Sequence, residues 1–428
     1  MILTIIIAFI VGYIFIVTEH FNKINKAATA LVTGVVCWII YIYSEGDKSV
    51  VSERLTAHLG DLSGILFFLM GAMAIVELID AHNGFEILKK PITQTDKRKL
   101  LWIISFITFF LSALLDNLTS TIVMISILRK LVHDKEERLF YASMVVIASN
   151  AGGVWSPIGD VTTTMLWIGG QITTANIILH LFVPSMVCLV TPLIILSFKL
   201  KGKIKASDFK AEPLPKMLSK KHQYIVFFAG ALIILLVPVF KVVTHLPPYM
   251  GMLLGLGILW IITEILHGDK DEEDKEPYSV AYALGKIDAP SILFFLGILL
   301  SIAALQITGV LSMLATWLNV YVGNLQSIGL LMGLLSSVID NVPLIAAAQG
   351  MYPLSQFPTD HYMWEFLAFT TGTGGSALII GSAAGVAAMG MEKINFFWYC
   401  KKISLLALLG FFAGAFTYIL QEIVLRGR

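Results

Sequence analysis

Apolar runs close to the ~20 residues that a helix needs to cross a hydrocarbon core follow one another from end to end of the chain. By that length the spans fall at 2–17, 28–43, 64–80, 138–168, 177–199, 223–240, 250–266, 289–307, 363–390 and 403–424. Two of them are broken. The run 138–168 contains Ser149-Asn-Ala-Gly-Gly, and 363–390 contains Thr371-Gly-Thr-Gly-Gly-Ser376.

Two further runs, Leu100 to Leu131 and Leu325 to Gly350, are too short for two full crossings, and each is interrupted near its middle by an Asp-Asn pair, Asp116-Asn117 and Asp340-Asn341. A helical hairpin that enters and returns puts such a pair at a tip buried in protein or facing water, where irregular backbone is tolerated. A carboxylate at that depth is costly and marks function by default.

The order of these features repeats. Ile65-Leu-Phe-Phe-Leu69 returns as Ile292-Leu-Phe-Phe-Leu296, with Asp61 and Asp288 four residues ahead of the two copies as expected helix N-caps. Asp116-Asn117 matches Asp340-Asn341, Gly152-Gly153 matches Gly374-Gly375, and Gly159-Asp160 matches Gly381-Ser382. The expected fold is an all-α polytopic membrane protein of two inverted-topology repeats, each with a re-entrant helical hairpin and a discontinuous transmembrane helix. Such repeats point to a transporter with its site near the midplane. The organisation read from the chain is N-terminal spans at 1–60, a first repeat at 61–199, a basic cytoplasmic linker at 200–222, connecting spans with an acidic cytoplasmic loop at 223–288, and a second repeat at 289–428.

Composition agrees. Hydrophobic residues make up 57% and charged residues 14%, against about 25% charged in soluble domains. No stretch reads as a soluble domain, and a net charge of +1 gives no reason to expect a nucleic-acid partner. Cys37, Cys188 and Cys400 are scattered, with neither a disulfide framework nor metal spacing, and the nine histidines suggest no metal cluster. The N-terminus lacks a basic segment and a cleavage site, so it reads as a retained span. Basic residues flank the first hairpin (Lys89, Lys90, Lys97, Arg98, Lys99; then Arg129, Lys130, Lys135, Arg138), eight lysines lie between Lys199 and Lys221, and none occurs from Ile287 to Glu392. The positive-inside rule puts the first hairpin's flanks in the cytoplasm, the N-terminus outside, and the two hairpins open to opposite faces.

Where a helix stops inside the bilayer its last carbonyls carry partial negative charge, and the next half-helix offers a positive end. The glycine pairs at 152–153 and 374–375 are expected to permit the unusual backbone angles there. Asn117, Thr119, Ser120, Asn150, Thr162, Thr163, Thr164, Asn341, Thr373, Ser376 and Ser382 supply neutral oxygens, the surroundings a hard cation prefers. Asp116, Asp160 and Asp340 repel an anion unless protonated, balance Na⁺ when ionised, and lose that role on protonation. Competition between Na⁺ and H⁺ for these groups is the simplest basis for antiport. Glu77, at the end of a span beside Asp80, is a candidate for the proton path.

At these residues the chain resembles the ion transporter superfamily, and within it the NhaD-type sodium/proton antiporters. The resemblance rests on Asp-Asn-Leu-Thr-Ser-Thr at 116–121, on Ser149-Asn-Ala-Gly-Gly-Val-Trp-Ser-Pro-Ile-Gly-Asp-Val-Thr-Thr-Thr164, and on Gly372-Thr-Gly-Gly-Ser-Ala-Leu-Ile-Ile-Gly-Ser-Ala-Ala-Gly385. It implies export of Na⁺ or Li⁺ against proton uptake in a bacterial inner membrane, a role in pH homeostasis, a homodimer, and a transport domain moving against a scaffold. No cofactor and no enzymatic activity are implied.

The residues it puts in cation and proton binding are Asp116, Asn117, Asn150, Asp160, Thr162, Asp340, Asn341 and Ser376; Thr119, Ser149, Thr373 and Ser382 complete the candidate set. Na⁺ itself is expected at Asp116, Asn117, Asn150 and Asp160. Gly372 stands where the first repeat has Asn150, and Ser382 where it has Asp160, so the second half is expected to complete a single site rather than form another. Two alternatives remain at this stage: a carrier of arsenite or another anion, and an intramembrane aspartyl protease with Asp116 and Asp160 as its dyad.

Overall fold

The computed structural model describes residues 2–45, 47–89, 96–200, 202–203, 219–269 and 271–426. Among them the backbone is helix and turn, with one isolated bridge between Asp96 and Lys203 and no strand. Residues 204–218, most of the basic linker, and Arg428 lie outside the described residues.

The first part of the chain forms α1 (Ile2–Val17), α2 (Lys26–Ser44) and α3 (Lys48–Ala81). The first hairpin is α4 (Lys97–Leu115) and α5 (Asn117–Leu131). The first broken helix is α6 (Lys135–Gly153) and α7 (Val161–Ile168), and α8 (Thr174–Lys199) follows. Then come α9 (Lys220–Thr244), α10 (Pro248–Leu266), the short α11 (Val280–Lys286), α12 (Ala289–Ile307) and α13 (Val310–Tyr321). The second hairpin is α14 (Leu325–Leu335) and α15 (Asn341–Met351). The second broken helix is α16 (Tyr362–Gly374) and α17 (Ala383–Glu392). The last helix, α18, runs Phe396–Val424 with a π-helical turn at Cys400–Ser404.

Eight of these helices are long and apolar enough to cross a membrane, and nine if α13 and α14, bent by 117°, count as one span. The chain is therefore a polytopic all-α membrane protein. Its helices meet where small residues let backbones approach, the usual solution when lipid offers no hydrophobic drive to pack. A Cβ on Gly297 of α12 would stand 2.4 Å from the backbone of Ala30 and Leu31 in α2. Nearby, Trp38 Nε1 donates to Leu300 O at 3.0 Å.

The structure departs from the sequence reading in four places. Asp61 lies inside α3, which begins at Lys48, and so is no N-cap; Asp288 is one, accepting from Ser291 N at 3.2 Å. The helices α11 and α13 were not anticipated, because each is shorter than a span. The arm α4 is itself long enough to cross. Finally, the paired glycines at both breaks keep negative φ; among the described residues positive-φ glycines are Gly170, Gly202, Gly309 and Gly323. Close approach is what those pairs provide instead. A Cβ on Gly152 would lie 2.1 Å from Phe109 O, and one on Gly374 would lie 1.9 Å from Gly333 O.

Contacts at the ends fix the direction of the broken helices. The start of α6 and the end of α17 share a face, where Arg138 and Arg129 both pair with buried Glu392, each through Nε at 2.7 Å. The end of α7 and the approach to α16 share another face, where Thr173 N donates to Asp360 Oδ1 at 2.7 Å and Asp360 N donates to Gln171 O at 2.8 Å. The two broken helices thus run in opposite directions.

Candidate ion site

The site begins where the first hairpin turns. Asp116 joins α4 to α5 at φ 86°, ψ 161°, a backbone region that is essentially glycine's. Its side chain compensates locally by capping α5, accepting from Thr119 N and Thr119 Oγ1, both at 2.8 Å. Strain of this kind costs ~1–3 kcal/mol and collects at functional sites.

Asn117, the next residue, points the other way. Its Nδ2 donates to Asp160 Oδ2 at 3.0 Å and to Asn150 Oδ1 at 3.1 Å. Asp160 is 1% exposed and caps α7, accepting from Thr162 N at 3.0 Å. The negative group thus sits at the positive end of a half-helix, where the dipole favours it. At the other end of α7 the Lys241 ammonium donates to Trp167 O at 2.7 Å, which is the favourable sign there.

The second half reaches the same carboxylate. Asn341 Nδ2 lies 3.3 Å from Asp160 Oδ1 and 3.4 Å from Oδ2. Asn150 Nδ2 donates to Ser376 Oγ and Ser382 Oγ, both at 2.9 Å, tying α6 to the second break. Asp160, Asn117, Asn150, Asn341, Ser376 and Ser382 therefore form one buried network fed by both hairpin tips and both breaks. Asp116, Asn117, Asp160, Asp340 and Asn341 also line one cavity of about 50 Å³. That is room for a cation or a few waters.

The remaining candidates lie at the edge of this network or outside it. Ser149 Oγ donates to Val146 O at 3.0 Å and accepts from Thr121 at 2.9 Å, binding the hairpin to α6. Thr373 Oγ1 donates back to Phe369 O at 2.6 Å within its own helix. Thr119 serves the capping of Asp116. Thr162 contributes its backbone N–H, and its side chain is buried. Asp340 makes no cap bond; its Oδ2 lies 3.4 Å from Lys26 Nζ.

Two local contacts occur in parallel at the two breaks. Ser112 Oγ donates to Ser149 O at 2.6 Å in the first half, and Ser336 Oγ donates to Thr371 O at 2.6 Å in the second. A Cβ on Gly159 would meet Ser112 O at 2.7 Å, and one on Gly381 would meet Ser337 O at 2.5 Å.

Sequence reasoning missed three groupings. Lys26, at the start of a span, looks like an ordinary topology signal. Glu392 was not paired with its arginines, although both belong to the flanks already noted. His180 has a ligand atom within 4.8 Å of those of Glu365 and Glu422; the three come from three helices, with no spacing motif to betray them.

A bundle of spanning helices with two hairpin tips and two broken helices gathered on one buried carboxylate is the build of a secondary transporter. The chain belongs to the citrate transporter family, whose pattern matches residues 13–374, and within it falls with the NhaD-type members. Sodium/proton antiporter 2 of Arabidopsis thaliana is 46% identical over 413 residues, covering 96% of this chain and 97% of that protein. Sodium/proton antiporter 1 of the same plant is 46% identical, covering 96% of this chain and 70% of its own length. The Na⁺/H⁺ antiporter NhaD of Alkalimonas amylolytica is 30% identical, covering 92% of this chain and 85% of its own.

Proposed function

We propose that this protein exchanges Na⁺ or Li⁺ for H⁺ across its membrane, with Asp160 as the group over which the two compete. The observation that carries this reading is the convergence of Asn117 and Asn341, from two hairpin tips, on one buried carboxylate in a cavity of about 50 Å³. With no cation bound, the amide N–H groups take up the carboxylate's lone pairs. Turned over, each amide offers its oxygen to a cation held by Asp160 and Asp116, while the Ser376 and Ser382 hydroxyls keep Asn150 in place. A proton arriving on Asp160 removes the charge that holds the cation, so the two ligands exclude each other.

The family's name suggests an organic anion, but this site is small and acidic. Pockets for organic ligands run to ~300–1,000 Å³, and a tricarboxylate would face Asp116, Asp160 and Asp340 together. The arsenite alternative meets the same carboxylates and finds no support in the relatives' names.

The opposed directions of the broken helices support the inverted-repeat reading, and the Arg129, Arg138 and Glu392 cluster fits a cytoplasmic face for the first hairpin's ends, with the N-terminus outside. A cavity of about 300 Å³ lined by Glu77, Asp80, Glu86 and Thr119 leads toward that tip and is the proposed cytoplasmic approach for cations. A homodimer, which the resemblance implies, is retained as part of this reading.

The test is Na⁺ added to everted vesicles that hold a proton gradient. The reading expects Na⁺ or Li⁺ to dissipate the gradient at alkaline pH and arsenite to leave it intact. No dissipation by either cation at any pH, with arsenite transported, sinks it.

A further inference from the structure

The second hairpin carries a carboxylate that the network around Asp160 does not use. Asp340 stands on the wall of the same cavity as Asp116 and Asp160, yet its neighbour is an ammonium: Lys26 Nζ lies 3.4 Å from Oδ2 and 4.5 Å from the centre of the Phe294 ring. Lys26 belongs to α2, which packs along α12, and also lines that cavity. The pair thus spans the N-terminal helices and the second tip, 314 residues apart in the chain.

We propose that Lys26 is a tethered counter-cation for Asp340, occupying the second half's carboxylate so that only Asp116 and Asp160 are left to exchange Na⁺ for H⁺. This rests on the antiport reading above. The asymmetry of the two halves then has a direct electrostatic cause. Three carboxylates in so small a space repel one another, and an ammonium fixed beside one of them lowers the negative charge that the other two feel. The Phe294 face adds an attraction that keeps the ammonium at this position. A free Na⁺ needs several oxygens at Asp340, whereas Lys26 needs only the carboxylate.

The charged and titratable groups around the pair are few. Asp116 faces it from the first tip and Asp160 from the start of α7, across the cavity. Tyr13 of α1 lies within electrostatic reach of Asp340, and Glu19 accepts the Lys26 backbone N–H at 3.0 Å. From α12 the lining residues are Ser291 and Phe295, which do not titrate.

Lys26 is in this account a positioning residue, since it acts on the exchange groups through Asp340. Its removal has a signature that a packing role lacks. In Lys26→Gln the uncompensated Asp340 charge holds protons on Asp116 and Asp160, so the midpoint of Na⁺-driven proton movement shifts to alkaline pH by about one unit or more. In Asp340→Asn the ammonium is left unopposed and drives those protons off, so the midpoint shifts to acid. The Lys26→Gln/Asp340→Asn double variant removes both charges and returns toward the wild-type midpoint, and Lys26→Arg keeps it.

The measurement is a pH series of Na⁺-driven proton movement with the full chain in proteoliposomes. Opposite shifts in the single variants, reversed in the double, support the assignment. An unchanged midpoint in Lys26→Gln, or shifts of the same sign in both, overturns it. If Lys26→Gln does not fold, the comparison of Asp340→Asn with the double variant decides: a double variant as acid-shifted as Asp340→Asn overturns it. Loss of Na⁺-driven proton movement in the wild type refutes the antiport reading itself.

Discussion

Asn341 donates its side-chain amide to Asp160, 3.3 Å from Oδ1, across 181 residues of chain. The bond joins the second hairpin to the first broken helix, so the ion site belongs to neither half alone. Removing the amide leaves Asp160 with fewer donors in the empty state and the cation with one fewer oxygen in the loaded state. The first loss favours the loaded state and water can replace the missing donor, whereas the second weakens the cation's own shell, so Asn341→Ala is expected to raise the Na⁺ half-saturation several-fold. Asn117→Ala should do the same, and Thr373→Ala, outside the network, should change it little. Sodium titrations of proton movement at fixed pH check all three.

The glycines at the breaks are expected to matter for packing. A methyl at Gly374 would sit 1.9 Å from Gly333 O, a backbone atom that can yield only by moving a helix. Overpacking of this kind costs ~1–3 kcal/mol, so Gly374→Ala should lower the thermal midpoint in detergent. Gly257→Ala, with nothing within 4 Å of the added carbon, is the control and should not.

One helix start should carry a pH dependence of stability. Asp96 caps α4, accepting from Arg98 N and Lys99 N, both at 3.0 Å. The Lys99 N–H first, then the Arg98 N–H and the two positive side chains, hold this carboxyl below its usual range. A depressed native value means stabilisation that is complete above the unfolded carboxylate range and fades as pH falls through the native value. Asp96→Ala should therefore melt below the wild type at neutral pH, and the gap should close in acid. Thermal melts of both proteins over an acid series test this.

Much of this architecture was legible in the sequence because lipid makes it so. A bilayer demands apolar runs of fixed length, and it makes Asp116, Asp160 and Asp340 conspicuous by their cost. Pairing across the fold was less legible. Nothing in the sequence around Asn150 says that it donates to Ser376 and Ser382, and Lys26 is indistinguishable from any lysine that starts a span. The glycine pairs could be read either as backbone freedom or as close contact, and only the approach of Phe109 O and Gly333 O decides for contact. Capping also hid a pairing: Asp116 accepts from Thr119, and the carboxylate that Asn117 and Asn341 both reach is Asp160.

The central claim is that Asp160 is where Na⁺ and H⁺ exclude each other, and Asp160→Asn tests it most directly. Asparagine keeps the size and can still cap α7, but it cannot ionise. The measurement is the pH series of Na⁺-driven proton movement in proteoliposomes holding equal amounts of folded wild type and variant. The account predicts that Asp160→Asn shows no Na⁺-driven proton movement at any pH. A variant that retains the wild-type rate and pH profile would contradict it.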